Sequence, residues 1–286
     1  MPRVAVVGTG AIGATVAAAL QEAGLRDLVL AGRTPRDRIV VEPDDGPPVE
    51  LAAPLRTKPE GPPADWVFLA VKSHQTAGAA PWLRALTGPG TVVVVLQNGV
   101  EHREVVRPFT AARILPAVVW VPAEALAPGR IRRRAPVRLI VPDGDDGQAL
   151  AALLGEQASV ELSADFTTAA WMKLATNAVA GLMVLARRRA GMFRRDDMAA
   201  LARAYAEEVL AVGRLAGAYG SVEEVMAAYD AMPDDLGSSI LFDREAGRAL
   251  EWDARNGVVR RLGLEHGTPT PISDVVVPLL AAASDG

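Results

Sequence analysis

Residues 3–13 read RVAVVGTGAIG, an apolar run that ends in a glycine-rich turn, and this stretch decides the fold of the N-terminal half. The β-branched run over residues 3–7 predicts a buried strand, and residues 14–23 have the character of a helix. A second apolar run follows at residues 28–31. The order strand, glycine-rich turn, helix, strand is that of a βαβ unit, which predicts a parallel sheet.

The turn has the spacing Gly-x-Gly-x-x-Gly, which binds dinucleotides when it joins a strand to a helix. Gly8 permits the tight turn, Gly10 lets the backbone approach a pyrophosphate, and Gly13 allows close packing of helix and strand. The N-terminus of the helix that follows attracts the negatively charged pyrophosphate, because its first backbone N–H groups are free to donate. An ordinary glycine-rich turn is the alternative, but the context favours a cofactor site formed by Gly8, Thr9, Gly10, Ala11, Ile12 and Gly13.

The end of the second strand indicates which dinucleotide binds. Sites that prefer NAD carry an acidic residue about 20 residues after the glycines, where it binds the ribose hydroxyls. Here that distance leads to Arg33, and the first acidic residue after it is Asp37. A guanidinium can bind a 2′-phosphate through two hydrogen bonds, so NADP(H) is the expected cofactor. The alternative is that Arg33 is a solvated loop residue.

Composition excludes several classes of protein. The chain has 286 residues, of which 50% are hydrophobic and 22% charged, with a net charge of -4. We therefore expect a folded cytoplasmic protein that binds neither nucleic acid nor membrane. It contains no cysteine, and its three histidines, His74, His102 and His266, are far apart in the sequence, so no metal site is expected.

Further strands are predicted along the N-terminal half. Trp66–Val71 and Thr91–Leu96 are apolar runs of strand length. Two more runs, Ile114–Val121 and Val137–Val141, flank the arginine-rich Arg130–Arg134 and are expected to form the antiparallel edge of the sheet.

After about residue 160 the pattern becomes helical. Phe166–Arg189 is predicted as one long helix, Asp196 as the cap of a helix through Leu215, and Ser221 as the start of a capping box. Later helices are expected over residues 239–246, 251–266 and 272–283. The predicted fold is α/β, with a Rossmann-type doubly wound sheet in residues 1–162 and an all-helical domain in residues 163–286.

Lysine and asparagine are scarce. Only Lys58, Lys72 and Lys173 are lysines among 30 basic residues, and the asparagines are Asn98, Asn177 and Asn256. Lys72 and Asn98 each follow a predicted strand, at the carboxyl edge of the sheet where ligands bind in doubly wound folds. For Asn98, a turn-forming Asn-Gly is an equally good explanation.

Lys173 and Asn177 lie four residues apart in the first long helix, so they share one face. Their neighbours are apolar, which favours a cleft for this face rather than bulk water. Partial desolvation would lower the pKa of Lys173 and make it a proton donor near neutral pH. A lysine that extends to solvent from the helix surface is the alternative.

Five blocks of sequence occur in the order found in one known family. They are GTGAIG at 8–13, VKSHQT at 71–76, LQNGVEH at 96–102, KLATN at 173–177 and SSILFDREAGRALEWDARNG at 238–257. The chain thereby resembles the ketopantoate reductases, or 2-dehydropantoate 2-reductases, over nearly its whole length. That resemblance implies a Rossmann domain, a helical domain similar to that of 6-phosphogluconate dehydrogenase, and NADPH-dependent reduction of 2-dehydropantoate in pantothenate synthesis.

The resemblance also implies roles for individual residues. Lys173 would be the catalytic proton donor, and Glu251 would orient it and contact the nicotinamide cofactor or the substrate hydroxyl. Asn98 would contact cofactor and substrate. The remaining positions are Asn177 and Ser239 for the substrate, and Lys72 and Ala123 for the cofactor, with Ala123 in a loop after Val118–Val121.

One position departs from the family. Gly181 stands where the family helix has a second asparagine that binds the substrate, so one substrate hydrogen bond is expected to be lost and the pocket to be larger or more apolar. Two alternatives therefore stay open, namely a reductase of another keto or hydroxy acid and a non-catalytic NADP(H)-binding sensor. A homodimer is compatible with the sequence.

Overall fold

The computed structural model describes residues 1–285, and the chain divides into two compact units. The N-terminal unit contains residues 1–97 and 101–166, and the helical unit contains residues 98–100 and the chain from Thr167 onward. Residues 98–100 go with the helical unit because Val100 packs against its core and Asn98 hydrogen-bonds to its side chains. The predicted division at residue 162 is a single cut in the chain, and it leaves residues 98–100 in the N-terminal domain.

The N-terminal unit is built from short strands and four α-helices among its described residues. The strands are β1 (Val4–Val7), β2 (Leu28–Ala31), β3 (Val40–Pro43), β4 (Val49–Glu50), β5 (Leu55–Arg56), β6 (Trp66–Leu69), β7 (Val92–Val95), β8 (Arg113–Pro116), β9 (Val118–Trp120), β10 (Ala123–Ala127), β11 (Arg130–Arg133), β12 (Val137–Pro142) and β13 (Ala158–Ser163). The helices are α1 (Ala11–Glu22), α2 (Thr76–Leu86), α3 (His102–Val106) and α4 (Asp145–Leu154).

Six strands form a parallel sheet in the order β5-β2-β1-β6-β7-β8. Successive residues of β1 point to opposite faces: Val4 and Val6 pack in one hydrophobic core, and Ala5 and Val7 in another. Because both faces are covered, the central strands are apolar at every position. The predicted Rossmann-type sheet is confirmed.

The edge strands differ from the expectation. Ile114–Val121 is divided into β8, which runs parallel to β7, and β9, which pairs antiparallel with β12. The two strands meet at Ala117, whose N–H donates to the carbonyl of Val95 in β7 at 3.1 Å, and Pro116 is tolerated because β8 is the edge strand of the parallel sheet. The second run, Val137–Val141, lies in a separate three-stranded sheet, β13-β12-β9, so the antiparallel pairing is not at the edge of the parallel sheet.

The arginine-rich segment is strand β11 of a third sheet, in the order β10-β11-β3-β4. Arg130 donates two hydrogen bonds to Glu42 at 2.9 and 3.1 Å, and Arg132 donates two to Asp44 at 2.7 and 3.0 Å. These exposed cross-strand pairs contribute little stability each, but they give the arginines a structural role within the sheet.

The helical unit consists mainly of seven α-helices among its described residues. They are α5 (Phe166–Val179), α6 (Gly181–Ala186), α7 (Asp196–Leu215), α8 (Val222–Asp230), α9 (Ser239–Glu245), α10 (Val258–Glu265) and α11 (Pro271–Asp285). A π-helical turn, Asp253–Gly257, precedes α10. The all-helical domain is confirmed.

The first long helix is shorter than predicted. It is interrupted at Ala180, between α5 and α6, and α6 ends before Arg187, whose φ of 51° is left-handed. A left-handed residue stops a helix because the next N–H groups turn back; here Arg188 donates to the carbonyl of Met183. The prediction that the helix reaches Arg189 is therefore wrong.

The predicted helix starts are correct in one case and shifted in the other. The hydroxyl of Ser221 accepts the N–H of Glu224 at 3.4 Å, as a cap of α8 does. Asp196 lies in the first turn of α7 rather than at its cap, and the neighbouring Asp197 accepts the N–H of Met198 at 2.8 Å. Both carboxylates still stabilise α7, because their negative charge interacts favourably with the positive end of the helix dipole.

Candidate active site

The glycine-rich turn after β1 has the geometry that its spacing predicts. Gly8 has a φ of +99°, and a Cβ there would lie 2.7 Å from the backbone nitrogen of Val71. A Cβ on Gly13 would collide with the carbonyl oxygen of Gly8. Gly10 differs, because a Cβ there would meet nothing within 4 Å. Gly8 and Gly13 are therefore required by the packing of the protein itself, whereas Gly10 leaves open space beside its backbone.

This turn fits the pyrophosphate of a dinucleotide. Gly10 is the N-cap of α1 and has no side chain with which to cap the first N–H groups of that helix. An anion beside Gly10 would meet those N–H groups and the positive end of the helix dipole. Thr9, Ala11 and Ile12 complete the turn, and the last two pack partly buried against the core of the sheet.

Arg33 and Lys72 follow neighbouring strands of the sheet. Arg33 is exposed two residues after β2, and Lys72 is half-buried three residues after β6. Since β1 lies between β2 and β6 and all run parallel, both residues follow the edge that carries the glycine-rich turn. Their contacts with the cofactor stay predictions.

Ala123 does not lie in the predicted loop. It is the first residue of β10, pairs with Arg133 across the ladder, and packs partly buried against the core beneath the sheet. The loop assignment was wrong because Ala123 and its neighbours are extended and paired, which the alanine-rich sequence does not signal. Its contact with the cofactor stays a prediction.

A polar network lies in the helical unit and joins four of the predicted site residues. The Asn98 amide donates to Glu251 Oε2 at 3.1 Å, and the Asn177 amide donates to Asn98 Oδ1 at 3.2 Å. Arg255 donates to Asn177 Oδ1 and to Ser239 Oγ, each at 3.0 Å. The structure thus brings together Asn98, Asn177, Ser239 and Glu251, which are distant in sequence.

Local structure explains how two of these side chains are presented. Asn98 is followed by Gly99, whose left-handed φ of +111° makes a sharp turn in the chain. A Cβ on Gly99 would lie 3.1 Å from the carbonyl oxygen of Ala254, so this turn packs closely on the π-helical turn. Glu251 is 4% exposed and precedes that turn. The Asn-Gly pair therefore forms a turn and also places Asn98 in the polar network.

Lys173 lies one helical turn before Asn177 on α5. Burial, with a smaller contribution from the nearby positive charge of Arg255, lowers the pKa of Lys173 to about 7. The residue as a whole is half-buried, with the amine at its buried end. Lys173 is thus able to exchange a proton near neutral pH.

Gly181 does not enlarge a pocket, contrary to the expectation. A Cβ there would lie 3.0 Å from Asn256 Nδ2 and 3.0 Å from Leu280 Cδ1. The Asn256 amide is buried and donates to the carbonyl of Ala178 and to the hydroxyl of Tyr205. Asn256 therefore occupies the space beside Gly181, and the missing asparagine is replaced by packing within the helical core.

Gly181→Ala is expected to destabilise the protein, because its Cβ would press on the fixed amide of Asn256. The matched control is Gly78→Ala in α2, where a Cβ meets nothing within 4 Å. Thermal unfolding should show a loss of about 1–3 kcal/mol for the first variant and a small gain for the second. Equal stability of the two variants would contradict the close packing at Gly181.

Two residues of this region were not singled out as site residues from the sequence. Arg255 is one of 27 arginines, so its residue type carries no signal. Its position one helical turn after Glu251, which would place both side chains on one face, was the available indication. Asn256 is scarce by type, but its packing role depends on contacts with Gly181 that sequence spacing does not show.

Among residues 1–285, no three His, Cys, Asp or Glu side chains cluster so that they could hold a metal ion. The stretch Phe166–Ala186 is long and apolar enough to cross a membrane by composition, but 72% of its most apolar window is buried within the protein, as in the core helix of a globular unit.

Comparison with known proteins gives consistent matches over the whole chain. The profile described as "Ketopantoate reductase PanE/ApbA" matches residues 4–146, and "Ketopantoate reductase PanE/ApbA C terminal" matches residues 165–284. The 2-dehydropantoate 2-reductase of Mycobacterium tuberculosis is 50% identical over 290 residues, covering 99% of this chain and 98% of that protein.

More distant relatives agree. The 2-dehydropantoate 2-reductase of Caulobacter vibrioides is 40% identical over 294 residues, covering 99% of this chain and 100% of that protein. The dimeric ketopantoate reductase of Staphylococcus aureus superposes with a TM-score of 0.89 at 25% identity, covering 99% of both chains. On the profile matches and the full-length identity, this chain belongs to the ketopantoate reductase family.

Proposed function

We propose that this protein reduces 2-dehydropantoate to pantoate with NADPH, and that Lys173 supplies the proton. The observation that carries the proposal is the network of Asn98, Asn177, Ser239 and Glu251 in the same helical unit as a lysine whose pKa is lowered to about 7. Full-length relatives named 2-dehydropantoate 2-reductase support the choice of substrate.

The chain's own residues would perform the chemistry as follows. When bound, the reduced nicotinamide supplies a hydride to the keto carbon. Lys173 donates a proton to the keto oxygen, so the developing negative charge on that oxygen is neutralised as it forms. Asn98 and Asn177 hold the substrate by hydrogen bonds, and Ser239 adds a hydroxyl. Glu251, buried and bonded to Asn98, holds that amide in place.

The cofactor is held by the N-terminal unit in this proposal. The turn over residues 8–13 receives the pyrophosphate, because Gly10 leaves the backbone N–H groups of α1 accessible. Arg33 binds the 2′-phosphate, and Lys72 binds cofactor phosphate or ribose. A binding-only sensor would need neither a proton donor nor the Glu251–Asn98 pair.

Arg33→Ala is expected to weaken NADPH binding about tenfold or more and to leave NADH binding unchanged, because only NADPH carries the 2′-phosphate. Fluorescence titration of both nucleotides measures this. The control is Arg26→Ala, an exposed arginine at the opposite end of β2. Equal binding of the two nucleotides by the unmodified protein would exclude the 2′-phosphate assignment.

The pH dependence of reduction follows from the pKa of Lys173. The protonated amine is the donor, so kcat/KM should be level below about pH 7 and fall about tenfold per pH unit above it. Because the chain has three lysines, labelled lysine side chains can be titrated by NMR, with exposed Lys58 as reference. A Lys173 signal that titrates near the ordinary value of about 10.4 would contradict the assignment.

The substrate is tested by mixing the protein with NADPH and a panel of 2-keto acids and following the absorbance of the reduced nicotinamide. The highest kcat/KM for 2-dehydropantoate supports the proposal. Preference for another keto acid would indicate a related reductase. Tight NADPH binding without turnover of any acid would indicate a sensor.

A homodimer in the cytoplasm is the assembly we propose. The ketopantoate reductase of Staphylococcus aureus is described as dimeric. The helical unit carries exposed apolar side chains on α10 and α11, Leu264 at 83%, Val275 at 60% and Leu279 at 50% exposure. The molar mass measured by light scattering, as the protein elutes from a size-exclusion column, distinguishes a dimer from a monomer.

A further inference from the structure

Arg255 is a buried guanidinium that the proposed reaction leaves without a role. Its side chain is 1% exposed and lies in the π-helical turn Asp253–Gly257. It donates from Nη2 to Asn177 Oδ1 and from Nη1 to Ser239 Oγ, both at 3.0 Å. Both acceptors are residues assigned to the substrate in the proposed function. A buried charge is costly unless it is well bonded, so its position calls for an explanation.

The hydrogen bonds of the network all run in one direction. Arg255 donates to Asn177, Asn177 donates to Asn98, and Asn98 donates to Glu251. A guanidinium can only donate and a carboxylate can only accept, whereas an asparagine amide can be turned either way. With Arg255 at one end and Glu251 at the other, only one orientation of the two amides satisfies every bond.

The same direction determines what the network offers to a ligand. Ser239 Oγ accepts from Arg255, so its own O–H is directed to another acceptor. Each asparagine amide uses one N–H and one lone pair of its oxygen in the network and keeps a second N–H. Three donors of defined direction suit a ligand that carries carboxylate and keto oxygens.

Charged and titratable groups surround Arg255 on several elements. Burial lowers the pKa of Arg255, and the charge of Glu251, with smaller contributions from Tyr229 and Asp243, opposes this. The positive charge of Arg255 in turn contributes to the lowered pKa of Lys173 on α5. Arg255 therefore acts on both the binding groups and the proton donor.

We propose that Arg255 is the positioning residue that orients Asn177 and Ser239 toward the carboxylate and keto oxygens of the substrate, an inference that rests on the proposed reduction of a 2-keto acid. Arg255 acts through those two side chains rather than by contact with the reacting atoms.

Arg255→Met and Arg255→Lys separate geometry from charge. Both variants lose the pair of hydrogen bonds from the guanidinium to Asn177 and Ser239, so KM for 2-dehydropantoate should rise about tenfold or more in each. Arg255→Met removes the charge at every pH, so the basic limb of the pH profile should move to higher pH in that variant. The control is Arg260→Met, an exposed arginine bonded to Asp274 at 2.8 Å. Unchanged KM in folded Arg255→Met would overturn the proposal.

Ser239→Ala tests whether the effect passes through the bonded side chain. Its effect on KM should be large alone and small when combined with Arg255→Met, because the hydroxyl is no longer oriented in that background. Full additivity of the two effects would overturn the proposal. If Arg255→Met does not fold, Arg255→Lys combined with Ser239→Ala gives the same test.

A readout without turnover uses the three asparagines of the chain. With ¹⁵N-labelled asparagine, the side-chain amide signals of Asn98 and Asn177 should shift and exchange faster with water in Arg255→Met, but not in Arg260→Met. If the unmodified protein does not reduce 2-dehydropantoate, the proposed function fails while this experiment still decides whether Arg255 orients the amides. Unchanged amide signals in Arg255→Met would overturn the inference alone.

Discussion

Lys173→Arg is expected to lower kcat for keto-acid reduction by about 10²–10⁴, the loss typical of a removed general acid. Arginine stays protonated, so it cannot release a proton near neutral pH as a lysine with a pKa of about 7 can. A second guanidinium near Arg255 would also be poorly tolerated. Steady-state kinetics with saturating NADPH measures the loss.

The affinity for NADPH separates catalysis from binding in this variant. The glycine-rich turn and Arg33 lie in the N-terminal unit, whereas Lys173 lies in the helical unit, so the dissociation constant of NADPH should be unchanged. Lys58→Arg, on the exposed surface, is the matched control and should keep full activity. If Lys173→Arg turns over at nearly the original rate, Lys173 is a lysine that reaches solvent and not the proton donor.

Gly10→Ala is expected to weaken NADPH binding about ten- to hundredfold, or about 1.4–2.7 kcal/mol, without loss of stability. A Cβ at this position meets no protein atom within 4 Å, and the backbone angles, φ -74° and ψ -166°, suit alanine. The methyl group would stand where the pyrophosphate approaches the N–H groups of α1. Calorimetric titration with NADPH and thermal unfolding together measure the two effects.

Gly13→Ala gives the complementary result at the other end of the turn. Its Cβ would collide with the carbonyl of Gly8, so this variant should lose stability as well as affinity. Gly10→Ala that binds NADPH as tightly as the unmodified protein would show that the pyrophosphate does not lie against this turn.

Local sequence patterns were sufficient for the parallel sheet and the glycine-rich turn. A strand buried on both faces needs apolar residues at every position, and β1, β2, β6 and β7 show this without knowledge of their neighbours. The glycines were equally readable, because tight turns and close approach exclude other residues. The pair Lys173 and Asn177 followed from helical spacing alone.

Edge strands and helix ends were less predictable, because neighbours decide them. Nothing in Ile114–Val121 shows that its first half pairs with β7 and its second half with β12. The interruption of the first long helix at Ala180 lies beside a single glycine, which helices tolerate, so the sequence alone does not mark a break there. There Gly181 packs against Asn256, which is distant in sequence.

By itself, the sequence determined the Rossmann-type unit, the helical unit and the family, and it predicted the residues that we propose carry the chemistry. Only the tertiary structure decided how those residues meet. Asn98 and Glu251 are separated by 153 positions and yet share a hydrogen bond, and Arg255 joins Asn177 to Ser239. Strand and helix patterns are short-range and repeat along the chain, whereas such side-chain pairs depend on how distant segments pack, which no local period records.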